Sequence, residues 1–142
     1  MSGRIYKQNH ISLTDFKFYM NDVGLCGASQ DIHYEDIIGE NLLLDNFKGG
    51  LTENYVFNQL TENGLSLYYW TSGCQAEVDF ITRIGEDIVP IEVKAKINNR
   101  ARSLGVYADR YKPSYAIRIS QKNFGFENCI KSVPLYATFC IK

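Results

Sequence analysis

The sequence lacks the long apolar runs of a membrane protein and the excess positive charge of a protein that binds nucleic acid through its overall field. The chain has 15 Lys and Arg residues and 16 Asp and Glu residues, so its net charge of −1 gives no overall field to attract phosphates. No apolar run approaches the roughly 18 to 20 residues of a membrane span, and the N-terminus has no signal-peptide stretch. We expect a cytoplasmic protein that makes no membrane contact.

Cysteine and histidine are scarce, and their spacing excludes the common zinc sites. The four cysteines form no C-x-x-C pair, and neither of the two histidines is placed to complete a site with them. We therefore expect free and mostly buried thiols.

What is present is a hydrophobic content of 45% and a helix–strand pattern. No repeat or linker divides the chain, so we predict a single domain, 1–142, with a lead-in segment, 1–48, and a core, 49–142, that starts at the Gly49-Gly50 break. The predicted elements are a strand 16–20 ending at a turn 21–24, a helical region 32–44, a helix 51–63 capped by Gly64, strands 66–70, 76–84 and 88–95, a helix 100–111, and strands 114–120 and 129–136. This order predicts an α/β fold with a mixed central sheet flanked by helices.

A short turn joins the second and third core strands and favours a two-residue hairpin loop. If Ile84 pairs with Asp87, Asp79 lies opposite Glu92. Because side chains alternate along a strand, Lys94 then shares their face. Opposed carboxylates destabilise a hairpin unless a cation neutralises them, and Mg²⁺ is held by one or two carboxylates together with waters and phosphate oxygens.

A further acid lies on the apolar stripe of the preceding helix, where Glu53 is followed at i+3, i+4 and i+7 by Val56, Phe57 and Leu60. A buried carboxylate without a partner is costly, so we expect Glu53 to face a metal, a lysine or a hydrogen-bond donor near the sheet. The alternative is an acid of the first helical turn that the helix dipole favours.

The hairpin charges also suit a solvated face with cross-strand ion pairs, such as Glu77 with Lys94. A register shift of one residue would separate Asp79 from Glu92. The pattern alone leaves both interpretations open.

Six strings carry a resemblance to a known family. They are FYMNDVGL at 18–25, GLTEN at 50–54, YWTSG at 69–73, AEVDF at 76–80, IEVK at 91–94 and VPLY at 133–136. From about residue 17 onward the chain resembles DUF4143, the PD-(D/E)XK nuclease-like C-terminal domain of bacterial and archaeal AAA+ ATPases. The resemblance implies a restriction-endonuclease-like core and an upstream ATPase module. ATP would bind only to that module, because no G-x-x-x-x-G-K-[ST] string occurs here.

The resemblance also implies roles for individual residues. Asp79 and Glu92 would be the metal-binding acids for Mg²⁺ or Mn²⁺, Lys94 would position and polarise the attacking water, and Glu53 would be an auxiliary catalytic acid. Val78 stands where the superfamily usually has proline.

Basic residues are concentrated from the end of this motif onward. The stretch 94–112 contains six of them and a single acid, Asp109. They are Lys94, Lys96, Arg100, Arg102, Arg110 and Lys112. Such a cluster favours contact with nucleic-acid phosphates, although an ordinary solvated helix face would look similar.

Two functions are consistent with these observations. The first is a Mg²⁺- or Mn²⁺-dependent phosphodiester hydrolase that acts on nucleic acid, DNA by preference, and is attached to an ATPase. The alternative is a non-catalytic module that docks nucleic acid or protein for that ATPase. A homodimer is one arrangement that the sequence allows.

Overall fold

A computed structural model describes residues 6–7, 16–33, 35, 45–72, 76–95 and 102–142. Within these ranges the helices are α1 (Val23–Ser29), α2 (Asp45–Glu62) and α3 (Arg102–Tyr111), and a 3₁₀-helix spans Leu135–Cys140. The strands are β1 (Tyr6–Lys7), β2 (Tyr68–Thr71), β3 (Glu77–Ile84), β4 (Asp87–Val93), β5 (Ala116–Ser120), β6 (Gly125–Glu127) and β7 (Ile130–Pro134). No helix in these ranges is both long and apolar enough to cross a membrane.

The strands form one mixed sheet in the order β1-β2-β3-β4-β5-β7-β6. The β2–β3, β3–β4 and β6–β7 pairs are antiparallel, whereas β1–β2, β4–β5 and β5–β7 are parallel. The α3 helix lies in the connection between the parallel strands β4 and β5, as a crossover requires. The predicted α/β class with a mixed, helix-flanked sheet is confirmed.

Each face of the sheet packs against a different helix. On one side, which we call the α2 face, Val56, Phe57 and Leu60 of α2 contact strand residues that include Phe80 and Ile91. The opposite side is the α3 face. There, Leu104 and Tyr107 of α3 pack with Trp70, Val78, Ile81 and Ala116. Two separate apolar clusters thus fix the sheet between the helices.

Helix α2 differs from its prediction at one end and agrees at the other. It begins at Asp45 and continues through Gly49 and Gly50, so the predicted break at these glycines is wrong. The division of the chain into 1–48 and 49–142 stays a prediction. A helical glycine costs only about 1 kcal/mol, which the packing of the apolar stripe outweighs. The predicted cap is confirmed, since Gly64 has φ +81° and its N–H donates to the Thr61 carbonyl at 3.0 Å.

The lead-in segment was predicted less well. Residues 16–20 form no strand, and α1 begins at the predicted turn because Asp22 caps it, its Oδ1 accepting the Leu25 N–H at 2.8 Å. Most of the predicted helical region 32–44 lies outside the described residues. Residues 16–20, which we call the Lys17 segment, are held against α2 by Asn54. Its side-chain amide accepts from Met20 N at 2.8 Å and donates to Met20 O at 2.9 Å.

The C-terminal region contains two elements that the sequence did not predict, β6 and the 3₁₀-helix. The turn between β6 and β7 places Cys129 at φ +58°, where its side chain is exposed. Cys140, at the end of the 3₁₀-helix, is also exposed, and Cys26 is partly buried. The expectation of mostly buried thiols is therefore wrong for the described cysteines.

Candidate functional site

The β3–β4 hairpin has the predicted register. Five successive pairs run from Ile84↔Asp87 to Phe80↔Ile91. Gly85 takes φ +61° in the two-residue loop, a conformation that glycine adopts without strain. The register brings Asp79 and Glu92 to the same end of the sheet, one step beyond the last pair.

A β-bulge interrupts the alternation of β3 next to Asp79. Tyr68 pairs with Ile81 and Trp70 with Val78, so three steps of β3 oppose two steps of β2. As a result Val78 packs on the α3 face and Phe80 on the α2 face, although residues two apart normally share a face. Bulges re-aim side chains. The strict alternation that was expected to place Asp79 beside Glu92 is therefore absent.

Asp79 lies within a network of charges. Its Oδ2 accepts the Val93 N–H at 2.7 Å. Burial, and then the negative charge of Glu53, raise the pKa of Asp79 to about 7, against the opposing effects of the Val93 N–H, Lys17 and Lys94. The nearby positive charges thus do not offset burial and Glu53, and Asp79 is only partly ionised at neutral pH.

Glu53 faces the Lys17 segment, and the expectation that it would find a lysine or a donor is confirmed. Lys17 Nζ donates to Glu53 Oε1 at 2.9 Å and also pairs with Glu77. Tyr19 donates its hydroxyl to the same Glu53 oxygen, and its ring stacks on Phe57 at 4.2 Å between centroids. Burial lowers the pKa of Lys17, but Glu53 and Glu77 outweigh burial and raise it. Burial and then Glu53 raise the pKa of Tyr19.

Glu92 forms a second carboxylate–lysine pair. Its side chain is only 2% exposed, and Oε1 lies 2.8 Å from Lys94 Nζ. The other oxygen, Oε2, is buried and has no hydrogen-bond partner. Lys94, itself 26% exposed, also lowers the pKa of Asp79. This lysine is therefore the group whose charge both acids share. The sequence analysis considered an ion pair between Glu77 and Lys94. In the structure Glu77 pairs with Lys17, and Lys94 pairs with Glu92.

The remaining predicted residues are the five further members of the basic cluster. Arg102 and Arg110 on α3, with Lys112 just beyond it, are exposed, whereas Lys96 and Arg100 lie outside the described residues. Among the residues with described positions, no three acid, histidine or cysteine side chains converge as a metal-binding group.

Three residues of the site were missed from the sequence: Lys17, Tyr19 and Asn54. Asn54 is 4% exposed and follows Glu53 in α2. Two adjacent polar residues beside an apolar stripe were the available signal, since such a pair needs partners once it is buried. Nothing local to Lys17 or Tyr19 indicates that they supply those partners from more than 30 positions away.

One comparison with known proteins identifies the family. The model of the "Domain of unknown function (DUF4143)" matches residues 48–138, well over half of the chain. The protein therefore belongs to the DUF4143 family. No curated protein and no solved structure matched it.

Proposed function

We propose that this domain hydrolyses phosphodiester bonds of DNA with Mg²⁺ or Mn²⁺ held by Asp79 and Glu92, and that it acts beside an ATPase module. The observation that carries the proposal is the Oε2 atom of Glu92, a buried carboxylate oxygen without a partner. Such an atom is costly unless a ligand contacts it. The raised pKa of Asp79 gives independent support, because a divalent cation would supply the positive charge that this carboxyl group lacks.

The donor set fits Mg²⁺ or Mn²⁺, since hard cations take oxygen ligands and Mg²⁺ is often bound by two carboxylates together with waters. When bound, the ion would polarise the scissile phosphate and lower the pKa of a water. Lys94, partly exposed beside Glu92, would stabilise the negative charge that develops on the phosphate. Glu53 would act indirectly, by holding Lys17 near Asp79.

Contact with the nucleic-acid backbone is assigned to the basic residues around α3. Arg102, Arg110 and Lys112 are exposed and free to reach phosphates, and Lys96 and Arg100 extend the same basic run in sequence. Because these contacts are electrostatic, binding of DNA should weaken steeply as salt concentration rises.

Nicking of supercoiled plasmid tests the proposal. The wild-type protein should nick DNA with Mn²⁺ or Mg²⁺ and not with a chelator. Asp79→Asn and Lys94→Ala should each lower the rate by roughly 100-fold or more, since each removes a group that acts on the reacting phosphate. Glu86→Gln, which changes an exposed acid at the hairpin loop, is the matched control. Nicking by both site variants at the wild-type rate would contradict the proposal.

A second candidate is the non-catalytic docking module. The observation that favours it is the internal neutralisation of Glu53 and Glu77 by Lys17, because acids that already have a cation can serve folding alone. In that case the charged hairpin would bind no divalent ion, and the plasmid would remain supercoiled under every condition.

A further inference from the structure

A basic residue outside the sequence motif lies next to Glu92. On the parallel strands β4 and β5, Glu92 pairs with Arg118. Their chain neighbours Ile91, Val93, Ile117 and Ile119 all pack in the cluster on the α2 face. Since side chains alternate, Glu92 and Arg118 both project toward the α3 face from adjacent strands.

These two oppositely charged side chains do not satisfy each other. The structure has no ion pair between them within the described residues. Arg118 Nε is buried without a hydrogen-bond partner, as is Glu92 Oε2. Glu92 Oε1 instead pairs with the side chain of Lys94. The backbone N–H of Lys94 donates to the Ile119 carbonyl at 2.8 Å, which continues the parallel pairing of β4 with β5.

An unpaired guanidinium nitrogen at this depth is unfavourable for folding alone. An Arg side chain is always charged, and a buried donor without an acceptor is destabilising, the more so when it is charged. Although Nε is buried, the residue as a whole is partly exposed, so part of its side chain is accessible to a ligand. Its planar fork of donors matches two oxygens of a phosphate group.

We propose that Arg118 binds a phosphate oxyanion, which in the cell is a backbone phosphate of the DNA, beside Glu92. The inference rests on the proposed function and deepens it, because it names a phosphate-binding residue of that same site. Glu92 Oε2 repels an anion unless a cation neutralises it. A divalent ion on Glu92 and a phosphate on Arg118 therefore strengthen each other's binding, and this coupling is reciprocal.

The test measures binding and stability together and does not depend on turnover. Wild type, Arg118→Met and Arg118→Lys are compared for binding of inorganic phosphate by calorimetry, and of a short fluorescent DNA duplex by anisotropy, with and without Mn²⁺. Arg83→Met, which changes an exposed arginine near the hairpin loop, is the matched control. For wild type, we expect phosphate to bind more tightly when Mn²⁺ is present.

Arg118→Met should lose phosphate binding at least tenfold and lower the salt slope of DNA binding by about one. Arg118→Lys should recover only part of the affinity, because a lysine lacks the fork. The melting temperature of Arg118→Met should equal or exceed that of wild type, since methionine removes an unsatisfied buried donor. A purely structural arginine would instead lower it.

The outcomes separate this inference from the nuclease proposal. Loss of phosphate binding in Arg118→Met supports the phosphate site even if wild type never nicks DNA. Unchanged phosphate and DNA binding in Arg118→Met overturns the phosphate site even if nicking is metal-dependent. So does a wild type that binds no phosphate, with or without Mn²⁺, and whose DNA binding is the same in Arg118→Met. DNA binding that depends on Arg118 without any binding of free phosphate supports a site that requires the polymer.

Discussion

At the scale of single residues, the fold alters the ionisation of Asp79. Its pKa rises from an ordinary 3.8 to about 7, first because of burial and then because of Glu53. In the folded protein without metal, a proton on Asp79 is therefore stabilising. The unfolded chain has no such preference above about pH 4.

This shift makes stability depend on pH with a definite sign. Between about pH 4 and pH 7 the folded protein binds more protons at Asp79 than the unfolded chain does, so the free energy of unfolding falls as pH rises. Asp79→Asn removes this dependence, and Asn retains an oxygen for the Val93 N–H. In chelating buffer, urea denaturation from about pH 5 to pH 8 should show the variant gaining roughly 3 kcal/mol on wild type.

Glu86→Gln, at the exposed hairpin loop, provides the comparison for that measurement and should follow the wild-type profile. A constant difference between Asp79→Asn and wild type across the pH range would show that Asp79 has the same pKa in the folded and unfolded states.

The residues of the site differ in how far the sequence could identify them. Glu53 was identifiable because a carboxylate on an apolar helical stripe must have a partner. The partner, Lys17, was not, because it comes from a segment without periodic structure 36 residues away. Arg118 was not identifiable for a related reason. Within the strand AIRIS it resembles any outward-facing charged residue until the pairing of β5 with β4 is known.

At the scale of elements, α2 contains two glycine environments with opposite consequences. Gly50 is a helical residue, and a Cβ added there would meet no atom within 4 Å. Gly64 stands beyond the helix at φ +81°. Gly50→Ala should raise the free energy of unfolding by roughly 0.5 to 1 kcal/mol, since alanine favours the helix. Gly64→Ala should lower it by roughly 1 to 2 kcal/mol, because an L side chain is strained in that conformation.

Urea denaturation of both variants checks this pair, with circular dichroism to confirm that helix content is retained. Destabilisation by Gly50→Ala would mean that α2 begins after the glycine pair, as the sequence alone predicted.

The hairpin shows where sequence reasoning at this scale stops. Its register follows from the turn and the alternating pattern, which are local, and the five observed pairs agree with it. The bulge beside Asp79 is different, because it exists only relative to β2, where the pairing shifts between Tyr68 and Trp70. An irregularity that a neighbouring strand imposes leaves no mark in the strand's own hydrophobic pattern.

At the scale of the whole molecule, the mixed sheet and its two helical layers were predictable from element order. The neighbour relations were not. That β5 lies next to β4, and so brings Arg118 to Glu92, follows from the α3 crossover, whereas the sequence gives only the succession of elements.

Binding of a divalent ion should act on the whole domain, since a ligand that binds only the folded state raises global stability. Addition of Mn²⁺ at about one hundred times its Kd should increase the free energy of unfolding by about 2.7 kcal/mol and raise the melting temperature accordingly. Differential scanning calorimetry measures the change. Glu92→Gln should abolish most of it, and Glu86→Gln should retain it. An unchanged wild-type melting temperature would favour the docking module.

The Lys17 segment has a consequence for where this protein can be cut. The family match begins at residue 48, yet the ammonium and hydroxyl groups that Glu53 contacts come from residues 17 and 19, and Asn54 clamps residue 20. At the other end the match stops at 138, whereas Ile141 belongs to the core on the α2 face and its carbonyl accepts from Asn63. The region that the family model matches is thus shorter at both ends than the region joined by these contacts. A minimal fragment should therefore be chosen from the contacts and not from the bounds of the family match.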